Sequence, residues 1–391
     1  MPGAALEPEW SLLLTACSEI PRQDKTDRIR LQSRQPIRWK LLFDLADRHG
    51  VLPFLYRALA ALPHSDLEDD TVPLVEMSRL RQSDQSNLHK ALLLSRELIR
   101  IVDHGSALGI ELMPYKGLAL AEAIYGDIAL RQVGDIDLLI HPQDLPRIRQ
   151  AAGELGYTPH LALSAKEERA YLKSGYEYAF DGAAGPNLLE VQWAIQPRFY
   201  SIAFDMPALF QRAVTINVAG HPMKTPSPED LFLVLSAHAA KHVWGRLIWL
   251  CDIARLMSIP TLNWNWIGSQ ADALGISRIL SVTMLLANRL LGAAIPAAAQ
   301  ANLSKNAAVL FLVSEIQTYI ASDASYDVES LTYFRLMMRL RERAADRHRF
   351  LRRLIFTPGP SEWEAVRLPA PLFPLYRLVR LSRLAARLLR S

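Results

Sequence analysis

The spacing of apolar residues predicts helices in the first and last parts of the chain. Residues 38–48 and 86–104 carry apolar side chains three and four positions apart, so that they share one face of a helix. The segment 227–242 has the same spacing and starts with Ser227 and Pro228, which favour the first turn of a helix. Helices are therefore expected before residue 105 and after residue 225.

Between these regions the pattern changes to short apolar runs that are typical of strands. The predicted strands cover 110–116, 133–140, 174–180 and 187–195. Helices are predicted over Gly117–Tyr125 and Leu145–Leu155, the second ended by a glycine. The last two strands are joined by the turn-rich segment DGAAGPN, so they are expected to form a hairpin beside the strand at 133–140.

These patterns predict an α+β protein, with a small mixed sheet and flanking helices between helical N-terminal and C-terminal regions. A chain of 391 residues has room for two or three domains. The predicted divisions are a helical region over 1–104, an α/β core over 105–224, a helical domain over 225–330 and a basic helical tail over 331–391.

Composition narrows the class of protein. Half of the residues are apolar and 21% are charged, which is the balance of a soluble globular protein. Cys17 and Cys251 are far apart and lack the spacing of a disulfide framework or a zinc site. No signal peptide or membrane span is expected, and a cytoplasmic location fits best.

The net charge of +4 is unevenly distributed along the chain. Residues 335–391 contain fourteen arginines and only four acidic residues, so the C-terminal segment is strongly basic. Its last part predicts an amphipathic helix with arginines on one side and leucines largely on the other: Arg377, Arg380, Arg383, Arg387 and Arg390, against Leu378, Leu381, Leu384 and Leu388. The segment 377–390 could lie on an anionic membrane, bind nucleic acid or an acidic partner, or pack its leucines on the body with arginines in water. No known module supports sequence-specific nucleic-acid binding.

Two acidic residues alternate with apolar ones in the predicted strand at 133–140. Successive side chains of a strand point to opposite faces, so Asp135 and Asp137 share one face. Carboxylates this close repel each other unless a cation lies between them, and Mg²⁺ or Mn²⁺ is the expected cation. Glu190 supplies a third carboxylate if its strand lies beside this one.

A phosphate-binding segment is predicted upstream, where a strand passes into a helix. Gly117 allows backbone N–H groups to approach a phosphate, and Lys116 adds a positive charge. Arg131 could bind phosphate or brace a carboxylate. A pair of acids alone is a weak signal, but acids with this segment indicate phosphoryl or nucleotidyl transfer, in which two metal ions stabilise the attacking and leaving oxygens.

The chain resembles a family of uncharacterised bacterial nucleotidyltransferases within the polymerase-β-like superfamily. The resemblance is carried by PYKGLALAEAIYG, RQVGDIDLLI, LEVQW and SPEDLFLVLSAHAAKHVWGRLIWLCDIARL, in this order. It implies Mg²⁺-dependent transfer from a nucleoside triphosphate such as ATP, a helical domain that closes over the nucleotide, and a small-molecule or peptide acceptor. Relatives are associated with polysaccharide and peptide natural-product pathways.

The resemblance also implies roles for particular residues. Asp135 and Asp137 match the metal-binding pair, and Glu190 matches the third acidic position. Two positions depart from the family pattern. Leu118 follows Gly117 where Ser or Gly is usual, and Gln192 stands where many relatives have a histidine, so this position cannot act as a base at neutral pH.

The segment HAAKH offers three interpretations. His238 and His242, four residues apart on a helix, could be zinc ligands, core or interface residues, or, with Lys241, cleft residues that contact nucleotide or acceptor. We expect the helical segment that contains them to form the far wall of the cleft, with at least one of the three side chains facing Asp135 and Asp137. Nearby residues are expected to pack and brace these helices: Trp244, Trp249, Cys251 and Asp252.

Three kinds of function remain compatible with the sequence. The first is an enzyme, a Mg²⁺-dependent nucleotidyltransferase of the two-metal-ion type, which the complete set of acids favours. The second is a regulatory protein that binds a nucleotide without turnover. The third is a membrane-surface or scaffold protein that acts through its basic tail.

Overall fold

A computed structural model describes residues 8–62, 72–182, 188–303, 306–322, 330–358 and 360–388. It is a mixed α+β structure in which helices predominate, so the predicted class is confirmed. Residues 183–187 of the predicted turn and Arg390 lie outside the described residues.

The N-terminal part is helical, as predicted. Its helices are α1 Pro8–Cys17, α2 Arg22–Ser33, α3 Trp39–Arg48, α4 Leu52–Ala60 and α5 Leu74–Ala107. The predicted helix at 38–48 corresponds to α3, whereas the one predicted at 86–104 is only the last part of α5. The first twelve residues of α5 were missed because their apolar side chains show no clear core-facing period: Leu74 and Val75 are exposed, whereas Leu80 is buried.

The middle part contains a five-stranded sheet with helices between its strands. Its elements are β1 Met113–Pro114, α6 Gly117–Tyr125, β2 Asp135–Leu139, α7 Leu145–Glu154, β3 Thr158–Pro159, α8 Ala165–Ser174, β4 Glu177–Asp181 and β5 Leu188–Gln192. The strand order is β1-β2-β5-β4-β3. Strand β5 is parallel to β2 and antiparallel to β4, so the predicted hairpin beside the acidic strand is confirmed. The strand predicted at 110–116 is only two residues long.

The two faces of the sheet differ in character. Buried apolar side chains of β2, β4 and β5 cover one face and pack with α5 and α7: Ile136, Leu138, Tyr178, Phe180, Leu189 and Val191. The alternate residues of the same strands point to the other face and include the acidic positions. One face of the sheet therefore belongs to the hydrophobic core, and the other face can form a binding site.

The rest of the chain is helical apart from one ribbon. Its elements are α9 Met206–Gln211, β6 Val214–Val218, β7 His221–Thr225, α10 Pro228–Lys241, α11 Leu247–Met257, α12 Trp264–Leu274, α13 Ser277–Leu291, α14 Ala297–Leu303, α15 Ala307–Ala321, α16 Leu331–Leu340, α17 Ala344–Phe356, α18 Pro360–Ala365 and α19 Tyr376–Leu388. The ribbon β6–β7 was not predicted, because its exposed strands bury few side chains. Ser227 caps α10 as expected, accepting a hydrogen bond from the Asp230 N–H.

Two hydrophobic cores divide the molecule in a way that does not follow the order of the chain. The first core joins α1–α4 to the helices from α10 onwards. The second core joins α5 and α7 to the sheet, together with Trp363 and Tyr376. Helices that are distant in sequence therefore enclose the sheet from both sides.

The basic tail differs from its prediction at two positions. Arg380 is buried and donates hydrogen bonds to the Leu354 carbonyl, at 2.6 Å, and to the Glu362 carboxylate, at 3.2 Å, whereas Leu378 is 59% exposed. The alternative with leucines inward and arginines in water does not hold at these two positions, because the buried Glu362 carboxylate requires a cationic partner. Within the described residues, no helix is both long and apolar enough to cross a membrane.

Candidate active site

A cavity of about 520 Å³ lies between the polar face of the sheet and the helices α10 and α11. All ten residues singled out from the sequence line this cavity: Lys116, Gly117, Arg131, Asp135, Asp137, Glu190, Gln192, His238, Lys241 and His242. Residues more than 120 positions apart in the chain are thus brought to one place.

The floor of the cavity is formed by neighbouring strands whose register aligns the acids. Asp137 lies directly opposite Glu190 in the parallel β2–β5 pair, and Asp135 is two residues before Asp137 on the same face. Gln192 donates from Nε2 to Asp137 Oδ1, at 3.3 Å, and to Glu190 Oε2, at 3.1 Å. Its Oε1 accepts a hydrogen bond from the Tyr115 hydroxyl, so this side chain connects the two acids.

The carboxylates are held in an unfavourable environment. Burial, together with the charge of Asp137, raises the pKa of Asp135. Burial and the neighbouring charges of Asp137 and Glu177 raise the pKa of Glu190 to about 8. A cation placed among these groups would relieve both the repulsion and the loss of solvation.

The donor chemistry of this cluster fits Mg²⁺, a hard cation that prefers carboxylate oxygens. Asp135, Asp137 and Glu190 would hold it. In the described ranges, no group of three or more His, Cys, Asp or Glu side chains has metal-binding geometry. The three carboxylates therefore do not already surround a metal position. Asp137 is instead paired with Lys116, whose Nζ lies 3.0 Å from Asp137 Oδ1.

The segment predicted to bind phosphate lies at the start of α6. Lys116 is the N-cap residue, and Gly117 has a φ of 54°, in the left-handed region that favours glycine. A Cβ on Gly117 would lie 3.2 Å from Val133 Cγ1, so the position has little room for a side chain. Burial alone would lower the pKa of Lys116, but Asp137 raises it, and the ammonium therefore stays charged.

Arg131 braces a carboxylate, but a different one from the acidic pair. Its Nε and Nη2 donate to the two oxygens of Asp252, at 3.0 and 2.9 Å, and its Nη1 donates to the Gly117 carbonyl, at 3.2 Å. The Tyr125 hydroxyl also donates to Asp252, at 3.0 Å. This buried bridge connects α11 to the Gly117 segment, which confirms the bracing role predicted for Asp252.

The opposite wall contains His238, Lys241 and His242, so the structure brings these three residues to the same cavity as the acids. The two imidazole centroids are 4.8 Å apart, although the helix ends at Lys241 and His242 is its C-cap. Burial, reinforced by the charge of Lys241, lowers the pKa of His242 to about 3, and burial places the pKa of His238 well below its ordinary value. Both rings are therefore neutral at pH 7 and act through hydrogen bonds or packing.

Several residues that line the cavity were missed from the sequence: Gly50, Lys90, Tyr176, Glu177, Arg246 and Trp249. Trp249 was assigned to packing, and it does contact the rings of His238 and His242, with centroids 5.3 and 5.2 Å away. The signal for Glu177 was available, because alternation in its strand places it on the face of Glu190. Lys90 and Arg246 carry no comparable signal, since only the packing of distant helices brings them here.

The family of this chain follows from a comparison with known families. The model of the family described as uncharacterised nucleotidyltransferase matches residues 35–292, which is more than half of the chain and includes every residue of the predicted site. The chain belongs to this family, and the resemblance seen in the sequence is confirmed.

Two solved structures show weak similarity. One is described as the crystal structure of ANT(2")-Ia in complex with adenylyl-2"-tobramycin, with 16% identity, coverage of 46% of this chain and 97% of that chain, and a TM-score of 0.35. The other is a solution structure of the antibiotic-resistance factor ANT(2'')-Ia, with 17% identity, coverage of 48% and 87%, and a TM-score of 0.28. No curated protein matches the chain.

Replacing Asp252 by Asn should destabilise the protein by about 3–5 kcal/mol, because the buried guanidinium of Arg131 would lose its charged partner. Denaturant unfolding would measure this. The control is Asp44→Asn, which breaks the exposed Lys40–Asp44 pair and should change stability by less than about 1 kcal/mol. Equal effects of the two substitutions would contradict the assigned bridge.

The stability of the metal-free protein should fall as the pH rises from about 4.5 to about 8. Unfolded Glu190 releases its proton near 4.5, whereas the folded protein holds it up to about 8, so the folded state binds more protons in this range. Melting temperatures measured in EDTA should show the decline, and Glu190→Gln should reduce it and stabilise the protein at pH 8. A decline that is unchanged in the variant would place its origin elsewhere.

Proposed function

We propose that this protein is a Mg²⁺-dependent enzyme that transfers a nucleotidyl group, or alternatively a phosphoryl group, from a nucleoside triphosphate to a small-molecule or peptide acceptor. The observation that carries the proposal is the single cavity that joins Asp135, Asp137 and Glu190 to the Lys116–Gly117 segment. A polymerase-β-like core is part of the proposal, and the parallel neighbours β2 and β5, both with acids on the cavity face, support it.

The acidic floor would bind the metal, and the segment beside it would bind the phosphates. Bound Mg²⁺ would supply charge stabilisation for the attacking and leaving oxygens. Lys116 and the backbone at the start of α6 would bind the triphosphate, with the positive end of the helix dipole directed at it. Arg131 would act indirectly, since its three hydrogen bonds hold the Gly117 carbonyl and Asp252.

The helical wall would complete the site from the other side. Lys241 faces the cavity, and burial lowers its pKa while Glu177 opposes this effect. The neutral rings of His238 and His242 can donate hydrogen bonds to a phosphate or to an acceptor oxygen. A cavity of about 520 Å³ is within the range of small-molecule sites.

The decisive experiment is a screen for the reaction itself. The purified protein is incubated with each of the four labelled ribonucleoside triphosphates, Mg²⁺ and candidate acceptors, and the products are examined by mass spectrometry. We expect an acceptor mass increased by a nucleotidyl group, which is a nucleoside monophosphate less one water, together with release of pyrophosphate. Binding of a triphosphate without any product, even by hydrolysis, would favour a regulatory nucleotide-binding protein instead.

Asp137→Asn should lower transfer by about 100-fold or more, because the substitution removes a metal-binding charge that stabilises the transition state. The fold should persist, since the amide keeps the shape of the side chain and the relief of repulsion with Glu190 offsets the loss of the Lys116 ion pair. Turnover, the affinity for Mg²⁺ by calorimetry and the melting temperature measure the three effects. Wild-type turnover in a folded variant would remove Asp137 from the site.

Gly117→Ala should weaken the binding of inorganic tripolyphosphate with Mg²⁺ by about tenfold or more. A β-carbon strains the backbone at a φ of 54° and approaches Val133, which displaces the N–H groups that would contact phosphate. Calorimetry measures the loss. Gly153→Ala is the matched control, because a Cβ there meets no atom within 4 Å.

A further inference from the structure

Glu177 is a fourth carboxylate on the cavity face of the sheet, and the proposed metal site does not use it. It is the first residue of β4 and lies opposite Gln192 in the antiparallel β4–β5 pair. Paired residues of neighbouring strands point to the same face, so Glu177 shares the face of Asp137 and Glu190. It lines the same cavity.

The position of β4 separates Glu177 from the proposed phosphate segment. Strands in this sheet follow the order β1-β2-β5-β4-β3, so β5 lies between the Asp135–Asp137 strand and Glu177. With neighbouring strands about 4.8 Å apart, β4 lies roughly 10 Å from β2. The Lys116–Gly117 segment follows β1, on the other side of β2, and the acids of the floor therefore lie between the two ends of the cavity.

The surroundings of Glu177 suit a group that accepts a proton. Burial raises its pKa, and Tyr176 and Lys241 favour the ionised form, with smaller, mutually opposing effects of the charges of Lys116 and Asp137. Lys241 Nζ lies 3.4 Å from the Tyr176 hydroxyl and 5.2 Å from the centre of its ring, which holds a cation near this end of the cavity. A raised pKa makes a carboxylate a stronger base, and the nearby cation keeps it available in the ionised form.

The other candidate bases along the described cavity wall are poorly suited to this task. Gln192 is an amide and cannot take up a proton at neutral pH. The pKa of His242 is lowered to about 3, and that of His238 is also well below its ordinary value, so both rings are weak bases. Glu190 and the two aspartates form the proposed metal site.

An in-line displacement requires the nucleophile and the leaving group to lie on opposite sides of the phosphorus. With the leaving phosphates at the Lys116–Gly117 end, the acceptor must enter from the opposite end, which is the end of Glu177. We propose that Glu177 binds the nucleophilic hydroxyl of the acceptor and takes up its proton during transfer. This inference rests on the proposed function and applies to an acceptor whose nucleophile is a hydroxyl group.

The step balances without any additional reactant. The acceptor oxygen forms a bond to the α-phosphorus as the bond from that phosphorus to the pyrophosphate oxygen breaks. The hydroxyl proton passes to a carboxylate oxygen of Glu177, and the bond electrons leave with pyrophosphate. Glu177 then releases the proton to solvent, and Tyr176 and Lys241 keep the ionised carboxylate in place.

Three variants test the role of Glu177 in the full-length protein. Glu177→Gln keeps the shape but removes the base, and Glu177→Asp keeps a carboxylate on a shorter side chain. Asp181→Asn is the matched control, because Asp181 is on the same strand, is exposed and does not line the cavity. Each variant is assayed with labelled nucleoside triphosphates and Mg²⁺, using water and any alcohol acceptor returned by the screen as nucleophiles.

We expect Glu177→Gln to lower kcat by about 100-fold or more with both nucleophiles. Affinity for Mg²⁺ with an α,β-methylene triphosphate, measured by calorimetry, should change far less than kcat, because Glu177 is not a proposed metal ligand and affects Glu190 only through its charge. Glu177→Asp should recover part of the activity, and Asp181→Asn should retain all of it.

The possible failures are distinguishable. An active wild-type protein with an equally active Glu177→Gln variant would overturn the role of Glu177 and leave the proposed function standing. A loss of Mg²⁺–nucleotide affinity equal to the loss of kcat would assign Glu177 to the donor site and also overturn the inference. A wild-type protein that forms neither transfer nor hydrolysis products would overturn the proposed function itself.

Discussion

The structure depends on the placement of four carboxylates on one buried face of a small sheet. Asp135, Asp137 and Glu190 lie on the adjacent strands β2 and β5, and Glu177 follows on β4. Burial and mutual repulsion disfavour their charged forms, so the cavity must supply positive charge. Lys116 provides it at one end and Lys241 at the other, and a divalent metal would provide more. A wall with cationic and hydrogen-bonding groups is therefore required opposite the acidic floor.

Two sets of interactions hold the helical wall of the cavity against the sheet. The first is the pair of hydrophobic cores, in which α1–α4 pack with the later helices while α5 packs with the sheet. The second is the Arg131–Asp252 bridge, which connects α11 to the carbonyl of Gly117 by hydrogen bonds within the protein interior. Movement of the helical wall would therefore be transmitted to the segment where phosphate is proposed to bind. In the proposed site, Arg131 would act by holding the Gly117 segment in place, and the charge that faces a phosphate would come from Lys116.

Much of the acidic floor followed from local sequence, because alternation along a strand dictates which side chains share a face. Asp135 and Asp137 needed only this rule, and Glu190 needed the further assumption that its strand is a neighbour of theirs, which the β2–β5 pairing confirms. The same rule would have identified Glu177. The tail was harder to predict, since its helical wheel gave Arg380 and Leu378 the wrong environments. The reason is a single buried carboxylate, Glu362, which lies 18 residues before Arg380 and accepts a hydrogen bond from its buried guanidinium.

The sequence by itself determined the α+β class, the helical character of both ends of the chain, the strand hairpin, the family and the acidic residues, because each depends on periodicity or on short motifs within a few residues. Only the tertiary structure decided which distant groups meet. It brought Lys90 and Arg246 to the cavity, connected Arg131 to Asp252 across 121 positions, and made the two histidines neutral by burial. These features depend on the packing of whole helices and on the solvent that this packing excludes, and neither is encoded in a local pattern of residues.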